Sequence, residues 1–266
     1  MRLLIICLLC AGLNTGIPVS ATADSETSPG RSALAVIESY VEDFRSDRFA
    51  AEPMLFGIEV PGQGEWHVQV TGEKVGDAWG VELNEGVAPK PTFVYKIETE
   101  TLDAIDRGEM NALTAQGKAF IGDYTPMSIA QMEGFEPTME EYAAINPFSF
   151  HFWTRGFPEM IPFGEGMTRK AHGGNFVIFY YETGLRTAWY RIEPGERVRE
   201  DAREQAMPFP IMIVGIKGAA EGEVDGKRVT LPAGNTLFVP PNVMHKWWNE
   251  TDEPADAILI MFGDGA

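Results

Sequence analysis

Apolar side chains recur at helical spacing near the start of the chain. Leu34, Ile37, Val41 and Phe44 stand at i, i+3, i+7 and i+10, behind a Ser32 placed to cap an amphipathic helix. The period then changes to two. Residues 66–70 (Trp-His-Val-Gln-Val) and 79–83 (Trp-Gly-Val-Glu-Leu) alternate apolar with polar or small positions, and residues 93–97 (Phe-Val-Tyr-Lys-Ile) do so after Pro91, which predicts strands. Thr99 or Thr101 caps a short helix through Leu102 and Ile105 that Gly108 ends. Residues 115–122 predict another strand, and residues 127–132 a terminal helix.

Residues 134–170 are rich in Pro, Gly and aromatic side chains. The run Phe148, Phe150, Phe152 and Trp153 is too apolar for a free linker and predicts packing between two modules, with a lid over a pocket as the alternative. From Asn175 onward the chain is short strands and tight turns: residues 176–181, 186–192, 211–216, 236–239 and 257–262, with Asp225-Gly226 marking a hairpin. Many short strands at this spacing predict a sandwich or barrel.

The first 23 residues follow none of these patterns. Arg2 precedes a short apolar run ending near Leu13, and Ala21-Thr22-Ala23 supplies a small-residue cleavage pattern, so residues 1–23 predict a secretory signal peptide and an exported, periplasmic or secreted protein. The run is too short to span a bilayer, and no stable membrane insertion is expected. Both cysteines, Cys7 and Cys10, lie in this leader, so the mature chain is expected to be thiol-free, without disulfides or thiolate metal sites. Residues 24–31 are polar and punctuated by Pro and Gly, a linker. The charge sharpens the partner class: 21 Lys+Arg against 39 Asp+Glu gives a net −18, which argues against nucleic acid and against anchoring on anionic lipid.

The stretch from Pro91 to Gly122 carries a strand, the acidic capped helix, and Gly117-Lys118-Ala119-Phe120-Ile121-Gly122. With the preceding helix and hairpin strands, this resembles the sterol carrier protein 2 (SCP2-like) family over residues 32–135. The resemblance implies an α+β domain that binds lipids, fatty acyl chains or sterols between a sheet and its covering helices. Phe93, Met110, Phe120, Met127 and Met132 are the candidate lipid-pocket residues, since unbranched methionine repacks around variable shapes. The same residues read equally well as ordinary core.

A second resemblance is carried by Gly234, Pro240, His245 and Asn249, which fit the spacing G-x5-P-x-G-x2-H-x3-N with Asn242 in place of the middle glycine. This resembles the second motif of the cupin family and implies an all-β, RmlC-like jelly-roll barrel over residues 172–266, with residues 136–171 as connector. Asn is the mildest replacement for glycine in a left-handed turn. The family's first motif, G-x5-H-x-H-x3,4-E-x6-G, opens at Gly195 and closes at Gly218, yet holds no histidine between them, and Ile211 stands at its glutamate position. A catalytic metal centre wants three or more protein ligands, and His245 supplies one. His172 or His151 folding over the mouth, with oxygens from Glu200, Asp201 or Glu204, is the arrangement that would restore a divalent transition metal; otherwise no cofactor is expected. In the plainer reading Arg199 and Arg203 pair with Glu196 and Glu200 on a solvated face. The candidate barrel-mouth ligand residues are His245, Trp247, Trp189, Tyr181 and Met212, with Arg191 and Met207 beside them.

No G-x-S-x-G, H-E-x-x-H, P-loop or G-x-G-x-x-G occurs in the chain. The leading functional expectation is an exported two-domain binding protein holding a lipid or apolar small molecule, with the barrel as a second pocket or a homodimer interface. The alternatives are a cupin metalloenzyme of oxygenase, isomerase or lyase class acting on a hydrophobic substrate, and a structural module with no small ligand.

Overall fold

Ser32 takes up the capping role that the sequence assigns to it. Its Oγ accepts the Ala35 N–H at 3.3 Å and starts helix α1 (Ala33–Phe44). The computed structural model describes residues 31–118, 120, 123–130, 139–154 and 160–266; the expected signal peptide, residues 1–23, lies outside the described residues. Within α1 the buried face is Val36, Ile37, Tyr40, Val41 and Phe44, so the apolar stripe is rotated slightly away from Leu34, which is 39% exposed.

A five-stranded sheet follows: β1 (Met54–Val60), β2 (Gly64–Val75), β3 (Ala78–Glu85), β4 (Phe93–Ile97) and β5 (Met127–Ala130), in the order β3-β2-β1-β4-β5. Only β1 and β4 run parallel. Helices α2 (Thr99–Asp106) and α3 (Ala112–Gln116) connect β4 to β5, and α4 (Met139–Phe152) comes after. The residue capping α2 is Glu98, whose side chain makes no cap bond, so neither threonine acts as cap.

Two expected elements change type. Residues 112–116 are helical, where a strand was expected from Ala115, and residues 127–130 are an edge strand, where a helix was expected. The reason is pairing. Ile97 faces Met127 and Val94 faces Ala130 across an antiparallel ladder that satisfies the outer edge of β4. A four-residue segment fits either period, and the neighbouring strand decides. The core between sheet and helices is aromatic: Phe44, Phe56, Phe93, Phe148 and Phe152 are fully buried, with ring centroids of Phe56 and Phe152 4.9 Å apart and of Phe44 and Phe148 5.3 Å apart. Phe148, Phe152 and Trp153 therefore pack inside the core of this module, where packing between the modules was expected; Phe150 is the one of the four whose ring meets the second half, 4.9 Å from that of Tyr180.

The second half is built from β6 (Arg169–Ala171), β7 (Gly174–Glu182), β8 (Leu185–Ile192), β9 (Arg197–Val198), β10 (Ile211–Lys217), β11 (Ala219–Val224), β12 (Lys227–Pro232), β13 (Thr236–Val239), β14 (His245–Trp248) and β15 (Ala255–Phe262). They form two facing sheets, β13-β10-β15-β8-β7-β6 and β12-β11-β14-β9. Ile211, Ile213 and Val239 of one pack with Val198, Leu231 and Trp247 of the other. Asp225 and Gly226 both take positive φ, 50° and 70°, in the turn from β11 to β12, the conformation that a two-residue hairpin needs. The sheet begins at β6, three residues before the boundary expected at residue 172. No helix among the described residues is long and apolar enough to cross a membrane.

The two halves are held together at the outer edge of β7, so that residues Arg31–Ala266 form one unit. The Thr114 hydroxyl accepts the Ile178 N–H at 2.9 Å, and the Asn111 amide donates to the Ile178 carbonyl at 2.9 Å. Asn111 also caps α3, its oxygen accepting the Thr114 N–H at 2.8 Å. Arg169 closes the other end: its Nη1 lies 2.7–3.0 Å from the carbonyl oxygens of Thr114, Ala115 and Gly117, the groups that a helix C-terminus leaves unsatisfied. Replacing Arg169→Met keeps the aliphatic bulk and removes these donors, and is expected to lower unfolding stability by about 1.5–3 kcal/mol in urea titration. An unchanged midpoint would show that the arginine does not hold α3 in place.

Candidate ligand-binding cavity

Strand register sets the inner wall of the barrel. Ile211, Met261, Arg186 and Tyr181 stand abreast on β10, β15, β8 and β7; the next inward row is Ile213, Leu259, Ala188 and Ile178; the third is Gly215, Ala257, Tyr190 and Phe176. All of these line one cavity of about 390 Å³. A β-bulge between Ile178 and Tyr180 brings Tyr181 onto the inward face. The opposite wall is Val198, Ala220, Leu231, His245 and Trp247. Trp247 can lie flat across β11 because its partner there is Gly222, where an added Cβ would stand 2.5 Å from the ring. Beyond the barrel, Leu113 and Gln116 of α3 and Met127 and Ile129 of β5 continue the lining, so both halves of the chain bound the same space.

His245 is 3% exposed. The Pro240-Pro241-Asn242 turn leads into β14, and Asn242 has the left-handed φ of 60° that the motif's glycine position requires. The imidazole Nδ1 lies 3.0 Å from the Val243 carbonyl oxygen and donates to it, which leaves Nε2 as an acceptor. Nε2 meets the Arg199 guanidinium Nη1. Burial, then the neighbouring Arg199 charge, push the His245 pKa down to about 4 against the opposing pull of the Val243 carbonyl, so the ring is neutral at pH 7. Arg199 itself has φ 60°, and its N–H donates to the carbonyl of His172, which has φ 54°. Two left-handed non-glycine residues joined by a hydrogen bond mark a strained rim.

The imidazole nitrogen of His245 that is not bonded to Val243 is engaged by a guanidinium, and no group of three His, Cys, Asp or Glu side chains that could hold a metal ion occurs among the described residues. Ile211, at the motif's glutamate position, is a buried apolar part of the wall. His151 bonds Asp47 at 3.0 Å and stacks on Phe49, and His67 bonds the Gly86 carbonyl, both in the first module. His172 does reach the cavity rim. The expected solvated pairing of the first-motif arginines is replaced: Arg199 turns in to His245, Arg203 pairs with Asp201, and Glu196 bonds Lys170.

Of the expected barrel-mouth residues, His245, Trp247, Tyr181 and Met207 line the cavity. Trp189, Arg191 and Met212 face outward instead. The even-numbered positions of β8 point in, so Trp189 packs against Phe163 and Arg191 forms two bonds to Asp256, at 2.7 and 3.0 Å; on β10 the odd positions point in. Among the expected lipid-pocket residues, Met127 reaches this cavity. Phe93 is stacked on Phe56 in the aromatic core, Met110 packs on the same core, Phe120 lies under the Arg203 guanidinium, and Met132 is outside the described residues. The space assigned to a lipid is taken by the Phe148 and Phe152 rings of α4. Arg186, Arg199 and Tyr190 were not anticipated as wall residues; the signal for Arg186 and Tyr190 was the even-position parity of β8.

A family model described as the cupin domain matches residues 188–261, and those residues are a cupin domain on a jelly-roll barrel. Similar solved structures include a cupin 2 conserved barrel domain protein from Salinispora arenicola, 21% identical with a TM-score of 0.35, covering 40% of this chain and 88% of that one. Another is an RmlC-like cupin from Shewanella frigidimarina, 21% identical with a TM-score of 0.33, covering 39% of this chain and 90% of that one. No curated protein matches the chain.

The neutral, buried His245 has a consequence for acid stability. Its folded pKa lies below the unfolded value near 6.5, so the unfolded chain binds the extra proton first. Its effect is absent above pH 6.5, and stability falls as pH drops from there toward 4. His245→Gln is expected to lack this component, which is on the order of 2–3 kcal/mol. Urea titrations of both proteins across that window check it; parallel pH profiles would contradict the assignment.

Proposed function

We propose that this chain is an exported binding protein that holds a lipid or other apolar small molecule in the barrel cavity and works there without a transition metal. The observation that carries the reading is the cavity of about 390 Å³, a size typical of small-molecule sites, whose strand rows are, apart from Arg186, Ile, Leu, Met, Ala, Gly and aromatic residues. A polar solute would give up hydrogen bonds to enter such a space, whereas each ~100 Å² of apolar ligand surface buried contributes about 2.5 kcal/mol. The metal-free half of the proposal is supported by the Nε2 of His245 facing Arg199.

On this reading the first module is SCP2-like and supplies a wall of the shared site rather than a pocket of its own. Its order of helix, antiparallel strands, a strand parallel to the first, short helices, strand and helix supports that reading, although the strand falls on residues 127–130 and not on the Gly117 stretch that carries the resemblance. Export is carried by the charged, apolar and small-residue sections of residues 1–23.

Native mass spectrometry with solvent extraction, alongside elemental analysis of protein purified without a metal column, tests the proposal. The expected result is a bound apolar molecule released by extraction and a transition-metal content far below stoichiometric. One equivalent of iron, zinc, manganese or copper that is lost in His245→Ala would overturn the metal-free reading, and a chain indifferent to every lipid extract would overturn the binding reading. Expressed with its leader in a bacterium, the chain is expected to begin at Asp24; a chain that keeps Met1 would remove the export proposal.

A further inference from the structure

Strand β8 carries two arginines whose surroundings differ sharply. Arg191, on the outer face, has a carboxylate: Asp256 takes two of its N–H groups at 2.7 and 3.0 Å. Arg186, on the inner face, has none among the described residues. It stands in the cavity row of Ile211, Met261 and Tyr181, with its guanidinium 4.3 Å from the Tyr181 ring centroid and 5.0 Å from that of Phe209. Of its five N–H donors, one on Nη2 goes to the Gly265 carbonyl at 3.2 Å, and its Nε is buried with no acceptor. Burial pulls the guanidinium pKa below its ordinary value, and no carboxylate pushes back.

The charge around the cavity points the same way. In a chain of net −18, the one carboxylate among the described residues that line this cavity is Asp256, which already serves Arg191. A cation held among apolar and aromatic groups is costly unless an anion joins it, and the planar guanidinium fork matches a carboxylate.

We propose that the cavity binds an anionic amphiphile, its acid group held by Arg186 and its apolar tail laid along the rows of Ile213, Leu259 and Trp247. This assignment rests on the binding reading above and narrows it to a ligand class. It accounts for an arginine without a carboxylate partner among the apolar inward rows of an acidic protein, which an uncharged ligand leaves unexplained.

Calorimetric titration of the delipidated full chain with decanoate, decanol and decyltrimethylammonium tests it. Decanoate is expected to bind about ten- to a hundredfold more tightly than decanol, the difference one charge-assisted bidentate contact makes, and decyltrimethylammonium more weakly than both. In Arg186→Met decanoate is expected to fall to the level of decanol while decanol itself is unchanged; Arg186→Lys retains part of the preference. Equal binding of decanoate and decanol by the unaltered chain, or a preference that survives in Arg186→Met, overturns the anion assignment alone. Failure of all three probes to bind overturns the binding reading and this assignment with it. The comparison within the unaltered chain decides the matter even if Arg186→Met does not fold.

Discussion

The structure turns on the outer edge of β7. An open sheet edge leaves backbone donors and acceptors exposed, and here Thr114 and Asn111 take the two groups of Ile178 directly. The approach is close enough that Gly117 has no room for a side chain: an added Cβ would stand 2.6 Å from the Phe176 ring. Because α3 is fixed on the barrel in this way, Leu113 and Gln116 become part of the wall around the barrel interior, and β5 follows with Met127 and Ile129. Elements of both modules thus bound one cavity.

What the shared space can do follows from the groups at its rim. A cupin barrel offers a ready concavity, but its chemistry depends on the side chains that turn inward, and fold alone does not set function. Here the inward histidine has one nitrogen bonded to the Val243 carbonyl and the other against Arg199. The result is a neutral imidazole whose second nitrogen accepts from a cation. On the opposite sheet the inward rows are apolar but for Arg186, and Gln116, Lys118, Ser128 and Asn146 add polar groups where the first module completes the lining.

Much of this was legible in the residues, and the failures have physical causes. The spacing from Gly234 to Asn249 located the jelly roll, the left-handed Asn242 and the buried His245, because each position carries a backbone or side-chain constraint that few residues meet. The phase of β8 was not legible: Trp189 and Tyr190 are both large, so alternation alone did not say which points inward. Tyr181 reaches the cavity through a bulge, which shifts parity locally. In the first module, residues 112–116 and 127–130 are too short for periodicity to choose between helix and strand, and partners distant in sequence chose for them. The aromatic side chains that fill the expected lipid space come from residues 148 and 152, far along the chain from Phe56 and Phe93.

The most direct measurement of the central claim is a crystal structure of the purified chain with anomalous data collected at transition-metal absorption edges. Elongated density is expected inside the barrel, running along Leu259, Ile213 and Trp247 and ending at Arg186, with Arg199 against His245 Nε2 and no anomalous peak there. An anomalous peak bonded to His245, with Arg199 displaced from it, would contradict the account.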